Sequence, residues 1–142
     1  MRVHQHRLTD AQWHQTVGKI NSVVSRQPEI SFAFMHGSFL DGVFFRDIDV
    51  GVFLTGVDPT DFWEYEMGIS QQIEEALNNV FLVEVKVINE APVSFCYHVM
   101  RGDVLCVKDE AVLMEFMVRI SRDYLDMAPL RHRYMAEVMA WK

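Results

Sequence analysis

Two aspartates one residue apart, Asp47 and Asp49, stand inside an otherwise apolar run, HGSFLDGVFFRDIDVGVFL, residues 36–54. Side chains alternate along a strand, so both carboxylates lean toward one face, with Cα atoms about 6.5 to 7 Å apart. Carboxylates placed this way can share one or two divalent cations. Hard oxygen ligands with no His or Cys cluster beside them suit Mg²⁺, which completes its shell with water and substrate phosphates. Glu84, on the charged face of FLVEVKVI (81–88), can supply one more oxygen ligand from a neighbouring strand. Gly37 and Ser38 follow the apolar, aromatic EISFAFM (29–35). A glycine there allows close backbone approach, and the serine hydroxyl and exposed N–H groups can hold phosphate oxygens. Arg46 and Lys86 flank the carboxylates, where they either contact phosphates or balance three like charges. A turn aspartate would explain Asp47 but leave Asp49 unexplained, because an unpaired buried carboxylate is expensive. Together these residues describe a site for a metal-bound nucleoside triphosphate.

The elements that must position them can be read in order. Thr9 caps a helix with Gln12 three residues on, and Trp13, Val17, Ile20 and Val24 recur at helical spacing before Pro28. EISFAFM is a buried strand ending at the Gly37 turn. A second strand is expected from Val43 to Leu54, with Ile48, Val50, Val52 and Leu54 on one face and Asp47, Asp49, Gly51 and Phe53 on the other. Asp58 and Pro59 open a second helix whose stripe runs through Phe62, Tyr65, Ile69 and Ile73 to Asn78 and Asn79. In the third strand Val83, Val85 and Val87 alternate with Glu84 and Lys86. NEAPVSFCYHVMRGDVLCVKDE (89–110) holds a proline-marked loop, a stretch without a clear period, and a short strand near Val104 to Val107. Asp109 caps a helix through Tyr124, Pro129 ends or kinks it, and Leu130, Tyr134, Val138 and Trp141 form a last amphipathic segment. The expected fold is α+β: a small mixed β-sheet with helices packed on one face, forming a single domain over 1–142 whose C-terminal segment, from about 109, is helical.

Composition bounds the rest. The 142 residues, half of them hydrophobic, are the size of one globular domain. With 20 acidic and 13 basic residues the net charge is -7, which disfavours general nucleic-acid binding. No apolar stretch reaches the roughly 18 residues of a membrane span. Cys96 and Cys106 lack metal-like spacing, and no leader pattern precedes the first helix, so a reduced, cytoplasmic protein is expected. His4 and His6 fall in an N-terminal stretch expected to fray, and His14 on a helix, which makes a metal role for them incidental. His36 reads either as a phosphate contact or as a packed histidine at a strand end. Phe62, Trp63 and the methionine-rich C-terminal stretch read as core or as a subunit interface, which leaves room for a homodimer.

A strand, Gly-Ser, a spacer, Asp-x-Asp in the next strand and a third carboxylate one strand later resemble the polymerase-beta-type nucleotidyltransferase superfamily. More narrowly, HGSFLDGVFFRDIDVGVFL with VEVKVINEAP and the C-terminal RDYLD is similar to the minimal nucleotidyltransferases (MNT), small single-domain proteins, many of them encoded beside an HEPN-domain toxin. The resemblance implies a polymerase-beta-like fold, with Gly37 and Ser38 holding phosphate and Asp47 and Asp49 ligating Mg²⁺. Glu84 would be the third carboxylate, which helps orient or deprotonate the attacking hydroxyl. It further implies transfer of a nucleoside monophosphate, AMP from ATP, to a tyrosine of a partner HEPN toxin, so that the protein acts as antitoxin. Two other classes stay open: an enzyme acting on a small cationic molecule, similar to the aminoglycoside nucleotidyltransferases, and an antitoxin that binds its partner without catalysis.

Overall fold

The computed structural model describes residues 6–41 and 44–140. Helix α1 spans Asp10–Ser25 and opens on the expected capping box, in which Gln12 N donates to Thr9 Oγ1 (3.2 Å) and Thr9 N to Gln12 Oε1 (2.9 Å). Strand β1 (Ile30–His36) is buried at every position, and β2 (Asp47–Leu54) pairs with it antiparallel. Val43, the expected start of that strand, lies outside the described residues, and Phe45 makes an isolated bridge to His6. His6 is therefore not frayed: its ring also packs edge-on against Phe81 at 4.8 Å, whereas His4 is outside the described residues.

Helix α2 (Phe62–Ala76) carries the chain over the sheet to β3 (Leu82–Val87), parallel to β2, as a strand–helix–strand crossover requires. Helix α3 (Val93–Met100) and strand β4 (Asp103–Val107) follow, with β4 antiparallel to β1, and the sheet order is β3-β2-β1-β4. Helix α4 (Glu110–Ala140) closes the described chain. Pro129 neither stops nor divides α4, which runs through it. Trp141 lies outside the described residues.

The sheet is mixed, as expected, but the helices cover both of its faces rather than one. On the first face, Ile20, Val23 and Val24 of α1 and Ile69 and Ile73 of α2 pack on Met35, Ile48, Val50, Val52 and Val85. On the second, Cys96 and Val99 of α3 and Leu113, Phe116 and Ile120 of α4 pack on Phe32 and Phe34, with Phe53 joining at the margin. The reason lies in β1, whose ISFAFMH is apolar on both sides and would expose two phenylalanines if only one side were covered. Stacked rings of Phe32 and Phe53, 5.0 Å apart, anchor this second core, and Phe116 reaches Phe32 at 5.3 Å. Gly51 brings α3 down onto β2, since a Cβ there would sit 2.8 Å from Val99 Cγ1. None of the helices among the described residues is long and apolar enough to cross a membrane.

Candidate active site

Antiparallel and parallel partners in register share a sheet face, so the pairing of β1, β2 and β3 builds rows across the sheet. His36 pairs with Asp49 and Asp49 with Glu84; in the next row Phe34 pairs with Gly51 and Gly51 with Lys86. The face that α3 and α4 cover at Phe32 and Phe53 thus turns polar within a few residues, at the end where β1 stops and β2 starts. Asp47 lies farther out on β2, beside Leu82, at the margin of the cleft. All three predicted carboxylates are brought onto one face.

The Gly37–Ser38 turn lies against this row. Gly37 has φ +83°, a left-handed conformation that glycine alone adopts without strain, and a Cβ there would come within 2.4 Å of Asp49 Oδ2. The residue is therefore glycine for two independent reasons. Ser38 is exposed and opens a short 3₁₀ helix (Ser38–Asp41) whose first turn is closed by Leu40 N donating to Gly37 O at 3.1 Å. Phe39 plugs into the core beneath, where Trp13 stacks on its ring and Trp13 Nε1 donates to its carbonyl at 3.2 Å. Helix α1 in this way fixes the turn that faces the carboxylates.

Electrostatics follow from the crowding. Burial, then the neighbouring carboxylates of Glu84 and Asp47, push the Asp49 carboxyl up to about 6, against a smaller opposing pull from His98. Neither Asp47 nor Asp49 forms an ion pair among the described residues, while the exposed Glu84 meets Lys86 at 3.7 Å. A divalent cation suits this donor set, because it offsets the repulsion that loads Asp49. The described side chains do not close into a cluster of three ready-made ligands. An open arrangement along a sheet matches an ion that takes its other ligands from water and phosphate. Lys86 lines the cleft beside Asp49 and Glu84 and meets Glu84 at 3.7 Å, whereas Arg46 is exposed just before β2, outside the cleft lining.

Three residues that the sequence did not single out complete the surroundings. Phe95 and His98 of α3 line a cleft of about 250 Å³ with Asp49, Glu84 and Gly37. Arg101, just past the end of α3, lines an adjoining cleft of about 640 Å³ with Gly37, Ser38 and His98. His36 borders both clefts; its ring stands edge-on to Phe95 (5.7 Å) and His98 (5.6 Å). Burial, reinforced by His98, pulls the His36 imidazole down to about 4. Helix α3 is hard to read from the sequence, since it spans only eight mostly apolar residues, VSFCYHVM, with Ser94 and His98 exposed.

A strand-borne Asp-x-Asp, a facing Gly-Ser turn and a carboxylate on the parallel neighbour thus meet at one end of a mixed sheet. The family model "Polymerase beta, Nucleotidyltransferase" matches residues 18–111, more than half of the chain, and the protein belongs to that family. No match emerges among curated proteins. Among solved structures, tri-AMPylated Shewanella oneidensis HEPN toxin in complex with MNT antitoxin contains a chain with TM-score 0.65 and 21% identity, over 89% of this chain and 98% of that one. A toxin–antitoxin complex with AMP-PNP gives TM-score 0.66 at 23% identity, over 87% and 98%. The MntA toxin–antitoxin pair carrying two aspartate-to-glutamate substitutions gives 0.68 at 21%, also over 87% and 98%. The fold is shared across nearly the full length of these neighbours.

Proposed function

We propose that this nucleotidyltransferase moves a nucleoside monophosphate, AMP from ATP, onto an acceptor hydroxyl, and that the acceptor is a tyrosine of an HEPN toxin which it restrains as antitoxin in the cytoplasm. The observation that carries the reading is the row of Asp49 and Glu84 with Asp47 beside it, closed on one side by a glycine turn that leaves no room for a Cβ. The fold-level neighbours support the choice of acceptor and nucleotide, since one holds an AMPylated HEPN toxin with MNT antitoxin and another AMP-PNP.

In this reading the backbone of Gly37 and the hydroxyl of Ser38 orient the phosphates. Asp47, Asp49 and Glu84 would hold Mg²⁺, which supplies Lewis-acid charge for the developing oxyanions when bound. The acceptor oxygen forms a bond to the α-phosphorus as the bond from that phosphorus to the bridging oxygen breaks. Pyrophosphate leaves, and the acceptor proton passes to a carboxylate, with Glu84 at the open side of the row best exposed to receive it. Lys86 holds Glu84 from the next row and tempers its charge.

Incubation with ATP, Mg²⁺ and the product of the adjacent reading frame, followed by intact-mass spectrometry of both chains, tests this. AMP-sized additions on the partner are expected. A stable, silencing complex without any mass addition would replace catalysis by simple binding.

A further inference from the structure

Among the described residues, the buried side-chain polar atom with no hydrogen-bond partner is Nε2 of His36. His36 is 6% exposed and borders both clefts beside the Gly37 turn. A buried imidazole nitrogen left unpaired costs free energy, so its place at a cleft wall marks where a ligand's polar atom belongs. Opposite it stand two side chains of another element. His98, in the last turn of α3, faces the His36 ring edge-on, and Arg101 follows one turn later.

The approach of these groups is built into the backbone. Gly102 lies so close to β1 that a Cβ would meet Met35 O at 2.1 Å and His36 Cα at 3.2 Å. The turn from α3 into β4 is thereby pressed against the end of β1, which delivers Arg101 to the side of the Gly37–Ser38 turn that the carboxylates do not occupy. Arg101 forms no ion pair among the described residues, although Asp103 lines the same cleft.

We propose that His36, His98 and Arg101 form a polyphosphate-tail site, which holds the β- and γ-phosphates of the nucleotide on the α3 side of the Gly37–Ser38 turn. The assignment deepens the nucleotidyl-transfer reading and rests on it. A guanidinium offers a planar fork of donors to phosphate oxygens, and His36 Nε2 supplies a desolvated partner at the base of the cleft. Asp103 lines the same cleft and repels the tail. The tail leaves as pyrophosphate, so these residues are positioning residues for the leaving group and stand apart from the carboxylates that hold the reacting end.

Isothermal titration of the full chain with Mg²⁺-ATP, inorganic tripolyphosphate and AMP tests the assignment. Arg101→Ala is expected to weaken ATP and tripolyphosphate about 10-fold or more and to leave AMP unchanged, with Arg101→Lys recovering part of the loss. Transfer kinetics should show a raised KM for ATP with a smaller change in kcat. His98→Ala should act in the same direction more weakly, and Asp103→Asn should tighten tripolyphosphate about 2-fold. Arg101 and His98 are exposed, so these variants are expected to fold, and circular dichroism verifies it. An Arg101→Ala chain that binds ATP and tripolyphosphate as the parent does, or loses AMP equally, overturns the proposal. A parent chain that binds neither overturns it together with the reading beneath it. If Asp47→Asn with Asp49→Asn leaves transfer intact while Arg101→Ala loses tripolyphosphate, the carboxylate reading fails and the tail site stands.

Discussion

The two faces of the sheet are built from the same strands and do different work. Beneath α1 and α2, Ile48, Val50, Val52 and Leu54 present an unbroken apolar surface, each at most 2% exposed. Beneath α3 and α4, the alternate residues of the same strand run Asp47, Asp49, Gly51, Phe53, from charge through a bare backbone to an aromatic core. The first face is a floor. The second is a floor that stops, and the carboxylates sit where the helical cover ends. Folding of the apolar end, with Val99 pressed on Gly51, holds in place a polar end whose crowded carboxylates would not assemble unaided. Stability and chemistry are thus divided along one strand.

That division can be broken most strongly at the polar end. Gly37→Ala drives a methyl group into Asp49 Oδ2 and strains a positive φ, so transfer should fall by at least about 100-fold with a stability loss of about 1 to 3 kcal/mol, read by a transfer assay and by denaturant titration. The opposite face should give the reverse pattern. Ile48→Ala, between the aspartates but pointing into the α1/α2 core, should cost about 2 to 5 kcal/mol while the rate per folded molecule stays within a few-fold of the parent.

A pH series sharpens the comparison further. The Asp49 carboxyl is raised to about 6 in the folded chain, against about 4 when unfolded, so the unfolded state releases its proton first and the ionised carboxylate burdens the fold. The burden is absent below about pH 4, grows between 4 and 6, and is complete above. Asp49→Asn should therefore stabilise the protein in chelator by about 1 to 2 kcal/mol at pH 7 to 8, after allowance for solvent screening, and by nothing below about pH 4, as followed by thermal melting. Smallest of all, Lys86→Ala should change stability by less than about 1 kcal/mol, since its ion pair with Glu84 is half exposed on both sides.

Most of the polar end could be read from residues alone. Alternation put Asp47 and Asp49 on one face and Glu84 with Lys86 on another strand's matching face, and parallel pairing of β2 with β3 sets Asp49 beside Glu84. The remaining features were illegible for physical reasons. Periodicity needs several turns to mark a helix, and α3 has only eight residues, mostly apolar, with Ser94 and His98 exposed, so Phe95, His98 and Arg101 had no element to stand on. Pro129 does not end its helix. A proline costs its helix a hydrogen bond, yet α4 continues through it to Ala140. The cover on the second face was implied by Phe32 and Phe34, whose side chains point away from α1, but a short, wholly apolar strand does not declare how many layers bury it.

The central claim is that the carboxylates at the uncovered end of β2 carry nucleotidyl transfer. Its most direct test is a single-turnover assay with ATP labelled at the α-phosphate, Mg²⁺ and the HEPN toxin proposed as acceptor, comparing the parent chain with Asp47→Asn, Asp49→Asn at equal folded concentration. Label on the partner with the parent chain, reduced at least about 1,000-fold in the double variant with circular dichroism unchanged, is the predicted result. Equal labelling by both chains would contradict the account.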